Sequence, residues 1–362
     1  MGRNLGSVQW IVTLNGSERF NADVYFKTHS TGLTLSQRIY IALLDFAPIY
    51  YPILAVVAIP VNVVTIIILS RGKCGLSKTV TRYLLAMSAA DLAVVFLDVI
   101  LMKIPKAFPD NFSFLIYVRV CRTHVFLLQA ATDCSVWFTV AFTFDRFVAI
   151  CFQDLNAKYC TGRTAAVVLS TVTALSCLKN ISWFFMVQDI YTSSNIRWPC
   201  MRRWELLESL FWTVIDVVRS VISTVIPFLV VILLNAFTIT HVLLASRARG
   251  RLRATSRGQS SRDPELQSRR KSLVLLLVVS GNFILLWALY GVMAIWNRML
   301  HAVDVPYWLT IPSFFNELCY MLQLLSCCTN TALYAVSQTK FRQQLKQVLN
   351  SPLTLIWKRN WH

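Results

Sequence analysis

The sequence predicts an all-α membrane protein, built as a bundle of seven transmembrane helices and followed by a short amphipathic eighth helix. Hydrophobic residues make up 56% of the 362 residues, and charged residues make up only 14%. A soluble protein carries about 25% charged residues, and its core has no room for this much apolar surface. The apolar residues are also gathered into runs, which indicates that the lipid bilayer is the solvent.

Seven runs are long enough to cross a bilayer, because a transmembrane helix needs about 20 mostly apolar residues. The fourth run is the least apolar, since Lys179 and Asn180 lie in its outer half. An odd number of crossings places the two chain ends on opposite sides of the membrane. The runs lie near Phe46–Ser70, Thr81–Ile104, Thr123–Cys151, Thr164–Val187, Leu210–His241, Leu273–Trp296 and Thr310–Val336.

The basic residues indicate which side is cytoplasmic. They concentrate after runs one, three and five and in the tail, with nine of them between Arg247 and Lys271. The opposite segments carry some basic residues as well, but the bias favours a cytoplasmic C-terminus and an extracellular N-terminus. Glycosylation sequons at Asn15 and Asn111 agree with this orientation. The same bias accounts for the net charge of +18, so nucleic acid is not an expected partner.

Two segments outside the runs have their own signals. The Arg, Ser and Gly content of Arg247–Ser268 predicts disorder. Four apolar residues between Phe341 and Leu349 lie on one helical stripe, which predicts an amphipathic helix along the inner membrane face. The chain therefore divides into an extracellular segment (1–45), a seven-helix domain (46–336) that includes a basic third intracellular loop (246–270), and an amphipathic helix with a cytoplasmic tail (337–362).

Polar side chains lie inside several apolar runs, where their burial in lipid is costly and usually reflects function. Asn62 lies in the middle of run one, and Asp91 lies near the middle of run two. Asn330 and Tyr334 are four residues apart near the end of run seven, and hence on one helix face. Any one of these residues occurs in unrelated membrane proteins, but all of them in this order are much rarer.

This order of residues resembles the rhodopsin-like family of G-protein-coupled receptors, and the resemblance covers nearly the whole chain. The family's Asp-Arg-Tyr motif matches Asp145-Arg146-Phe147 in run three. Cys121 precedes Arg146 by 25 residues, which is about 37 Å of helix at roughly 1.5 Å per residue, so the two lie on opposite sides of the membrane. The other matches are Asn62, Asp91, Pro227, Phe283, Trp287 and Asn330-Thr331-Ala332-Leu333-Tyr334.

The resemblance implies a receptor in the plasma membrane that binds an extracellular ligand and activates a heterotrimeric G protein, rather than an enzyme. Arg146 would be held by Asp145 at rest and released on activation to contact the G protein. Asn330 and Tyr334 would belong to the same switch. Alternatively, Asp145 and Arg146 only neutralise each other's charge at the end of the helix.

The resemblance also implies a disulfide and two buried sites. The disulfide would join Cys121 to Cys200. Asp91 would head a polar cluster that holds a sodium ion, since carboxylate and hydroxyl oxygens suit a hard cation; a water-filled network without sodium is the alternative. No other cofactor is expected. The polar cluster contains Asn62, Asp91, Ser135, Ser326 and Asn330, and a packing switch beneath the ligand pocket contains Val136, Pro227, Phe283 and Trp287.

The ligand pocket is expected between the outer halves of the helices. Leu128 stands where amine receptors carry Asp, and Leu324 stands where light receptors carry the retinal-binding Lys. Charges of both signs suit a zwitterion, an aromatic amino acid or a short peptide, and the chain resembles the orphan branch that responds to aromatic amino acids and peptides. Alternatively, Asp133 and Arg219 only pair with each other. The expected pocket residues are Asp98, Leu128, Gln129, Thr132, Asp133, Arg219, Trp287, Tyr290, Tyr320 and Gln323.

Four residues depart from the family pattern. Phe147 and Asn235 each replace a tyrosine, whereas Leu289 and Thr331 replace the prolines of helices six and seven. Proline kinks a helix, so the two missing prolines raise the alternative of a receptor of the same fold that does not signal, such as a decoy. A transporter is the alternative from another class, but the sequence shows no internal repeat of the kind that many transporters have.

Overall fold

The computed structural model describes residues 35–107, 118–188, 201–202, 209–255, 264–302 and 313–359. Nearly all of these residues are helical, apart from an antiparallel pair of two-residue strands, β1 (Val187–Gln188) and β2 (Met201–Arg202). The described residues form eight main helices: α1 (Leu35–Ser70), α2 (Lys78–Val94, continued by a π-helix at Val95–Lys103), α3 (Val118–Cys151), α4 (Gly162–Asn180), α5 (Leu210–Ser220, a π-helix at Val221–Val225, and Ile226–Thr255), α6 (Pro264–Ala302), α7 (Ser313–Ser337) and α8 (Thr339–Arg359). Shorter helices lie at Ile104–Ala107, Gln153–Tyr159 and Trp183–Met186.

Six of these helices are long and apolar enough to cross a membrane, as judged from their length and composition. Helix α7 has 25 residues but carries polar side chains such as Glu317 and Gln323, which lower its hydropathy. With α7 as the seventh crossing, the predicted all-α bundle of seven transmembrane helices is confirmed.

Helix α1 begins at Leu35, well before the predicted start at Phe46. Apolar residues continue through positions 39–44, so the helix extends toward the N-terminus beyond the length that a membrane crossing requires. Residues 35–45, which were expected to precede the helix domain, therefore belong to α1.

The predicted disorder of Arg247–Ser268 is wrong for most of that segment. Helix α5 continues to Thr255, and α6 begins at Pro264. Alanine, leucine and arginine are good helix formers, and they outweigh the glycine and serine content that suggested disorder. Residues 256–263 lie outside the described part of the chain.

Helix α8 packs against the end of the bundle where α3 and α7 terminate, which we call the inner end; the opposite end, near Cys121, is the outer end. Phe341 of α8 is buried, and its ring centroid lies 6.0 Å from that of Tyr334 in α7. Leu345 and Val348 pack against the same core cluster. The apolar stripe that the sequence indicates in the tail therefore faces the bundle.

Two of the transmembrane helices contain π-helical segments, at Val95–Lys103 in α2 and at Val221–Val225 in α5. Such segments are frequent at functional sites. A Cβ added to Gly291 of α6 would lie 2.6 Å from the Cγ2 atom of Thr224, so α6 passes very close to the second π-helix. Each π-helix therefore lies in a part of its own transmembrane helix that carries residues expected in the ligand pocket.

Candidate functional site

The Asp145-Arg146 pair lies at the inner end of α3, and each residue is only 7% exposed. Arg146 Nη2 and Nε donate to Asp145 Oδ2 at 2.5 Å and 3.1 Å. Arg146 Nη1 also donates to Ser272 Oγ of α6 at 3.3 Å. The guanidinium therefore joins α3 to α6, in addition to pairing with its neighbour.

The loop after α3 packs against this pair. The Cys160 thiol lies 3.6 Å from the Asp145 carbonyl oxygen, and Thr79 of α2 donates to the Cys160 carbonyl oxygen at 2.8 Å. Burial raises the pKa of the Cys160 thiol to about 11, so this cysteine stays protonated at neutral pH. Phe147, which replaces the family's tyrosine, stacks edge-on with Phe152 at 5.6 Å between centroids.

Asp91 is 1% exposed and forms the centre of a polar layer in the middle of the bundle. Its Oδ1 atom accepts from Ser135 Oγ of α3 at 2.6 Å, and its Oδ2 atom accepts from Asn330 Nδ2 of α7 at 2.7 Å. The carboxylate therefore connects α2, α3 and α7 through hydrogen bonds. Asn330 serves this polar layer and does not contact Arg146 among the described residues.

The other two residues of the expected sodium cluster do not hydrogen-bond to Asp91. Ser326 Oγ donates to the Gln323 carbonyl oxygen at 2.6 Å and accepts from Trp287 Nε1 at 3.0 Å. Asn62 Nδ2 donates to the carbonyl oxygens of Ala58 and Cys327. The structure thus brings Asp91, Ser135 and Asn330 into direct contact, and Ser326 and Asn62 fix α6, α7 and α1 around them.

Three of the four residues of the expected packing switch belong to one buried cluster between α3, α5 and α6. Val136, Phe283 and Trp287 belong to it, and Pro227 is buried at the start of the regular part of α5. The Phe283 and Trp287 ring centroids are 5.7 Å apart. The hydrogen bond from Trp287 to Ser326 connects this cluster to α7.

Asp133 of α3 pairs with Lys179 of α4, with 2.6 Å between Oδ2 and Nζ. Ser223 Oγ donates to Asp133 Oδ1 at 2.8 Å, and Asn180 donates to Oδ2. Arg219 pairs instead with Asp216 of its own helix. The alternative that Asp133 and Arg219 pair only with each other is therefore wrong, because Asp133 pairs with Lys179 and Arg219 pairs with Asp216.

A second group of charges lies at the outer end between α1, α2 and α7. Tyr320 OH donates to Asp98 Oδ2, and Tyr51 OH donates to Glu317 Oε1 at 2.8 Å. Lys103 Nζ lies 3.8 Å from Glu317 Oε1. Asp98 and Tyr320 were expected in the pocket, and the structure joins them directly.

The other residues that were expected in the pocket lie on α3, α6 and α7. Tyr290 lies between Trp287 and Tyr320, with ring centroids 6.0 Å from each. Thr132 Oγ1 bonds to the Leu128 carbonyl oxygen of its own helix at 2.9 Å. Leu128 and Gln323 are buried, and Gln129 is half-buried.

Three expected modification positions lie outside the described residues: Cys200, Asn15 and Asn111. Cys121 is buried beside Trp183 and Met186 and is disulfide-bonded. Met201, which follows Cys200, pairs with Gln188 in the strand ladder. The pairing of Cys121 with Cys200 and the two glycosylation sites stay predictions.

Sequence reasoning missed several partners at these sites. The Lys179 ammonium and the Ser272 hydroxyl contact Asp133 and Arg146, respectively. Thr331, which replaces a proline, bonds to Thr65 Oγ1 of α1 at 2.6 Å. A charged residue inside an apolar run, such as Lys179, indicates that a polar partner lies nearby. A lone serine or threonine in such a run does not.

A bundle of seven transmembrane helices, with a buried Asp-Arg pair at the inner end of α3 and a polar layer around Asp91, defines a seven-transmembrane receptor. The sequence model of the family described as 7 transmembrane receptor (rhodopsin family) matches residues 61–334. The chain therefore belongs to the rhodopsin family of seven-transmembrane receptors. Members of this family are multi-pass plasma-membrane proteins that act as signalling receptors rather than enzymes.

Named relatives are similar over most of the chain. The chain is 26% identical to the mouse probable G-protein coupled receptor 142 over 312 residues, which cover 83% of this chain and 72% of that protein. It is 24% identical to bovine G-protein coupled receptor 39 over 340 residues, covering 84% and 72%. It is 21% identical to the human type-2 angiotensin II receptor over 321 residues, covering 86% and 81%.

Proposed function

We propose that this receptor binds an extracellular ligand between the outer halves of its helices and activates a heterotrimeric G protein at its inner end. The observation that carries the proposal is the position of Arg146, which bonds both to Asp145 and to Ser272 of α6. Separation of α6 from α3 breaks the Ser272 bond and exposes the guanidinium. In this proposal, the inner end and the C-terminus are cytoplasmic, and the N-terminus is extracellular.

The ligand class that fits the outer half is a zwitterion, an aromatic amino acid or a short peptide. Asp133 with Lys179 and Glu317 with Lys103 supply buried charges of both signs. Tyr290 lies between the two groups and offers an aromatic face. One relative is named as a receptor for angiotensin II, which supports an extracellular ligand but does not identify this one.

The polar layer fits a sodium ion. The Asp91 carboxylate and the Ser135 and Ser326 hydroxyls are hard oxygen donors. Two further buried oxygens, Asn62 Oδ1 and Ser88 Oγ, have no hydrogen-bond partner among the described residues. A bound sodium ion would neutralise the Asp91 charge. These residues would hold the ion between α2, α3 and α7 and so stabilise the arrangement seen here.

A receptor of the same fold that does not signal is the second candidate, and the shape of α6 favours it. Pro264–Ala302 is one continuous α-helix with Leu289 in its interior, where the family's proline would provide a kink. Gly281 of α6 favours the opposite conclusion. A Cβ added there would have no atom within 4 Å, and glycine weakens a helix by about 1 kcal/mol relative to alanine. Gly281 therefore offers α6 a hinge that does not need the proline, as the signalling receptor requires.

The test is nucleotide exchange on a co-expressed G protein. We expect Arg146→Ala to reduce exchange to the level of membranes without receptor, while the surface level persists, because the guanidinium contacts the G protein directly. The assay compares each G-protein family, with free aromatic amino acids and short peptides as the ligand panel. Arg342→Ala, which removes an exposed arginine of α8, is the matched control.

Undiminished exchange in Arg146→Ala would remove the assigned role of the arginine. If the unmodified receptor reaches the cell surface and catalyses no exchange with any G protein or ligand of the panel, the non-signalling candidate is correct.

A further inference from the structure

The outer ends of α1, α2 and α7 surround one ammonium group with aromatic rings and a carboxylate. Lys103 Nζ lies 3.8 Å from the ring centroid of Tyr320 and 5.1 Å from that of Tyr51. It also lies 3.8 Å from Glu317 Oε1, and the Lys103 side chain is 11% exposed. We call Tyr51, Glu317 and Tyr320, together with Asp98, the tyrosine cage.

The chemistry of the cage is that of a cation-binding site. An ammonium is attracted to the faces of aromatic rings within about 6 Å, most strongly when it is desolvated. Each tyrosine hydroxyl donates to a carboxylate, Tyr51 to Glu317 and Tyr320 to Asp98. These bonds fix the orientation of both rings and keep their faces directed at the ammonium.

The cation that fills the cage belongs to the chain itself. Lys103 is the last residue of the π-helix in α2, and its ammonium reaches the cage at the end of a flexible four-carbon side chain. Such a side chain can leave the cage through rotations of its own bonds, without a change in the backbone. Glu317 and Tyr51, in contrast, are buried, Tyr320 is half-buried, and hydrogen bonds hold all three side chains in place.

The cage is also in contact with the packing switch. Tyr320 lies 6.0 Å from Tyr290, Tyr290 lies 6.0 Å from Trp287, and Trp287 lies 5.7 Å from Phe283, measured between ring centroids. Four rings thus form an unbroken series from the outer end of α7 to the middle of α6. A shift of Tyr320 is therefore transmitted by direct contact to Trp287.

We infer that the tyrosine cage is the cation subsite of the ligand pocket, and that Lys103 is a tethered occupant which the ammonium group of the ligand displaces. This inference rests on the proposed function and narrows its ligand class to molecules with an ammonium group. A ligand cation in the cage would contact Tyr320 and Glu317 directly. Lys103, once displaced, would become available for the carboxylate of a zwitterion.

The experiment uses the purified full-length receptor and follows thermal unfolding during a titration with tetramethylammonium chloride. Sodium concentration and total ionic strength are held constant with potassium chloride. Lys103→Met removes the tethered ammonium but keeps an apolar side chain of similar length. Lys103→Gln is the second variant, because it retains a donor for Glu317 if Lys103→Met fails to fold. Lys346→Met is the matched control, since it removes an exposed ammonium of α8 at the inner end, away from the cage.

We expect tetramethylammonium to stabilise Lys103→Met or Lys103→Gln saturably, at a concentration about tenfold lower than for the unmodified receptor, because no internal cation competes. The additional change Tyr320→Leu should abolish this gain, and Lys346→Met should not produce it. Equal half-saturating concentrations for the unmodified receptor and both Lys103 variants would overturn the inference.

A second probe distinguishes this inference from the opposite binding mode, in which Lys103 remains in the cage and binds the carboxylate of the ligand. In that mode, N-acetyl-L-phenylalanine should stabilise the unmodified receptor and not Lys103→Met. That result, without a gain for tetramethylammonium, would also overturn the cation subsite. No G protein takes part in these measurements, so their outcome is independent of the exchange assay with Arg146→Ala.

Discussion

The inner and outer ends of the bundle bury their ion pairs in different ways. At the inner end, Asp145 and Arg146 are neighbours in sequence and pair within one helix, with 2.5 Å between Arg146 Nη2 and Asp145 Oδ2. At the outer end, Lys179 of α4 pairs with Asp133 of α3, and Lys103 of α2 lies beside Glu317 of α7. The outer pairs therefore connect different helices, and the inner pair depends on its Ser272 bond for that connection.

This difference bears on which contacts can change when the receptor changes state. Movement of α6 does not by itself separate Asp145 from Arg146, because both residues belong to α3. Of the hydrogen bonds that Arg146 makes with described residues, such a movement breaks the 3.3 Å bond to Ser272. The outer pairs break whenever their helices separate. The ion pairs of the outer end thus join different helices directly, whereas the inner Asp145-Arg146 pair is joined to α6 by the weak bond to Ser272.

Loss of one outer pair is the change with the largest expected effect. Lys179→Met would leave Asp133 buried without its ammonium, and breaking a buried pair costs about 3–5 kcal/mol. We expect a marked fall in the thermal unfolding midpoint of the purified receptor. The double variant Asp133→Leu/Lys179→Met removes both charges and should recover most of the stability. An unchanged midpoint in Lys179→Met would show that the pair does not hold α3 and α4 together.

The change with the intermediate expected effect concerns Asp91, whose carboxylate is held by hydrogen bonds rather than by an ion pair. If sodium binds there, replacing potassium chloride with sodium chloride should raise the free energy of unfolding by about 1.4 kcal/mol at ten times the sodium Kd, and so raise the unfolding midpoint. Asp91→Asn should abolish this sodium dependence, and Asp154→Asn, which removes an exposed carboxylate, should retain it. A response to sodium that survives Asp91→Asn would exclude this carboxylate as the ligand.

The smallest expected effect concerns the inner end. Ser272→Ala removes the bond that joins Arg146 to α6, and one hydrogen bond contributes about 0.5–1.5 kcal/mol. Basal nucleotide exchange should therefore rise by about twofold to tenfold. Ser246→Ala, at an exposed serine of α5 that bonds within its own helix, is the control. Basal exchange equal to that of the unmodified receptor would mean that this bond does not restrain α6.

The four residues that depart from the family pattern show where sequence reasoning reached its limit. The two missing prolines suggested only a weaker hinge, but Thr331 also bonds to Thr65 and so joins α7 to α1. Asn235, in place of a tyrosine, accepts from Ser280 Oγ at 3.1 Å and joins α5 to α6. Both residues therefore make contacts between helices, and a partner on a distant helix cannot be read from one position.

For the same reason, the sequence predicted several of the residues that form the charged groups near the outer end, but it did not predict their partners. The polar character of Asp98, Asp133, Arg219 and Tyr320 indicated a group of charges in the outer half, but the alternative in which Asp133 and Arg219 pair only with each other was wrong. A change of one residue rotates a side chain by about 100° around the helix axis. The identity of a partner therefore depends on helix rotation and crossing, and the π-helices in α2 and α5 alter that rotation further.

The sequence by itself determined the membrane bundle, the number of crossings, the Asp145-Arg146 pair and the polar character of the middle layer. These features depend on composition, on run length or on residues adjacent in the chain, and such local properties are independent of packing. The tertiary structure decided that Lys179 pairs with Asp133, that Ser272 restrains Arg146 and that Lys103 occupies a cage of tyrosines. Those contacts join residues far apart in sequence, and only the packing of the helices brings them within a few ångströms.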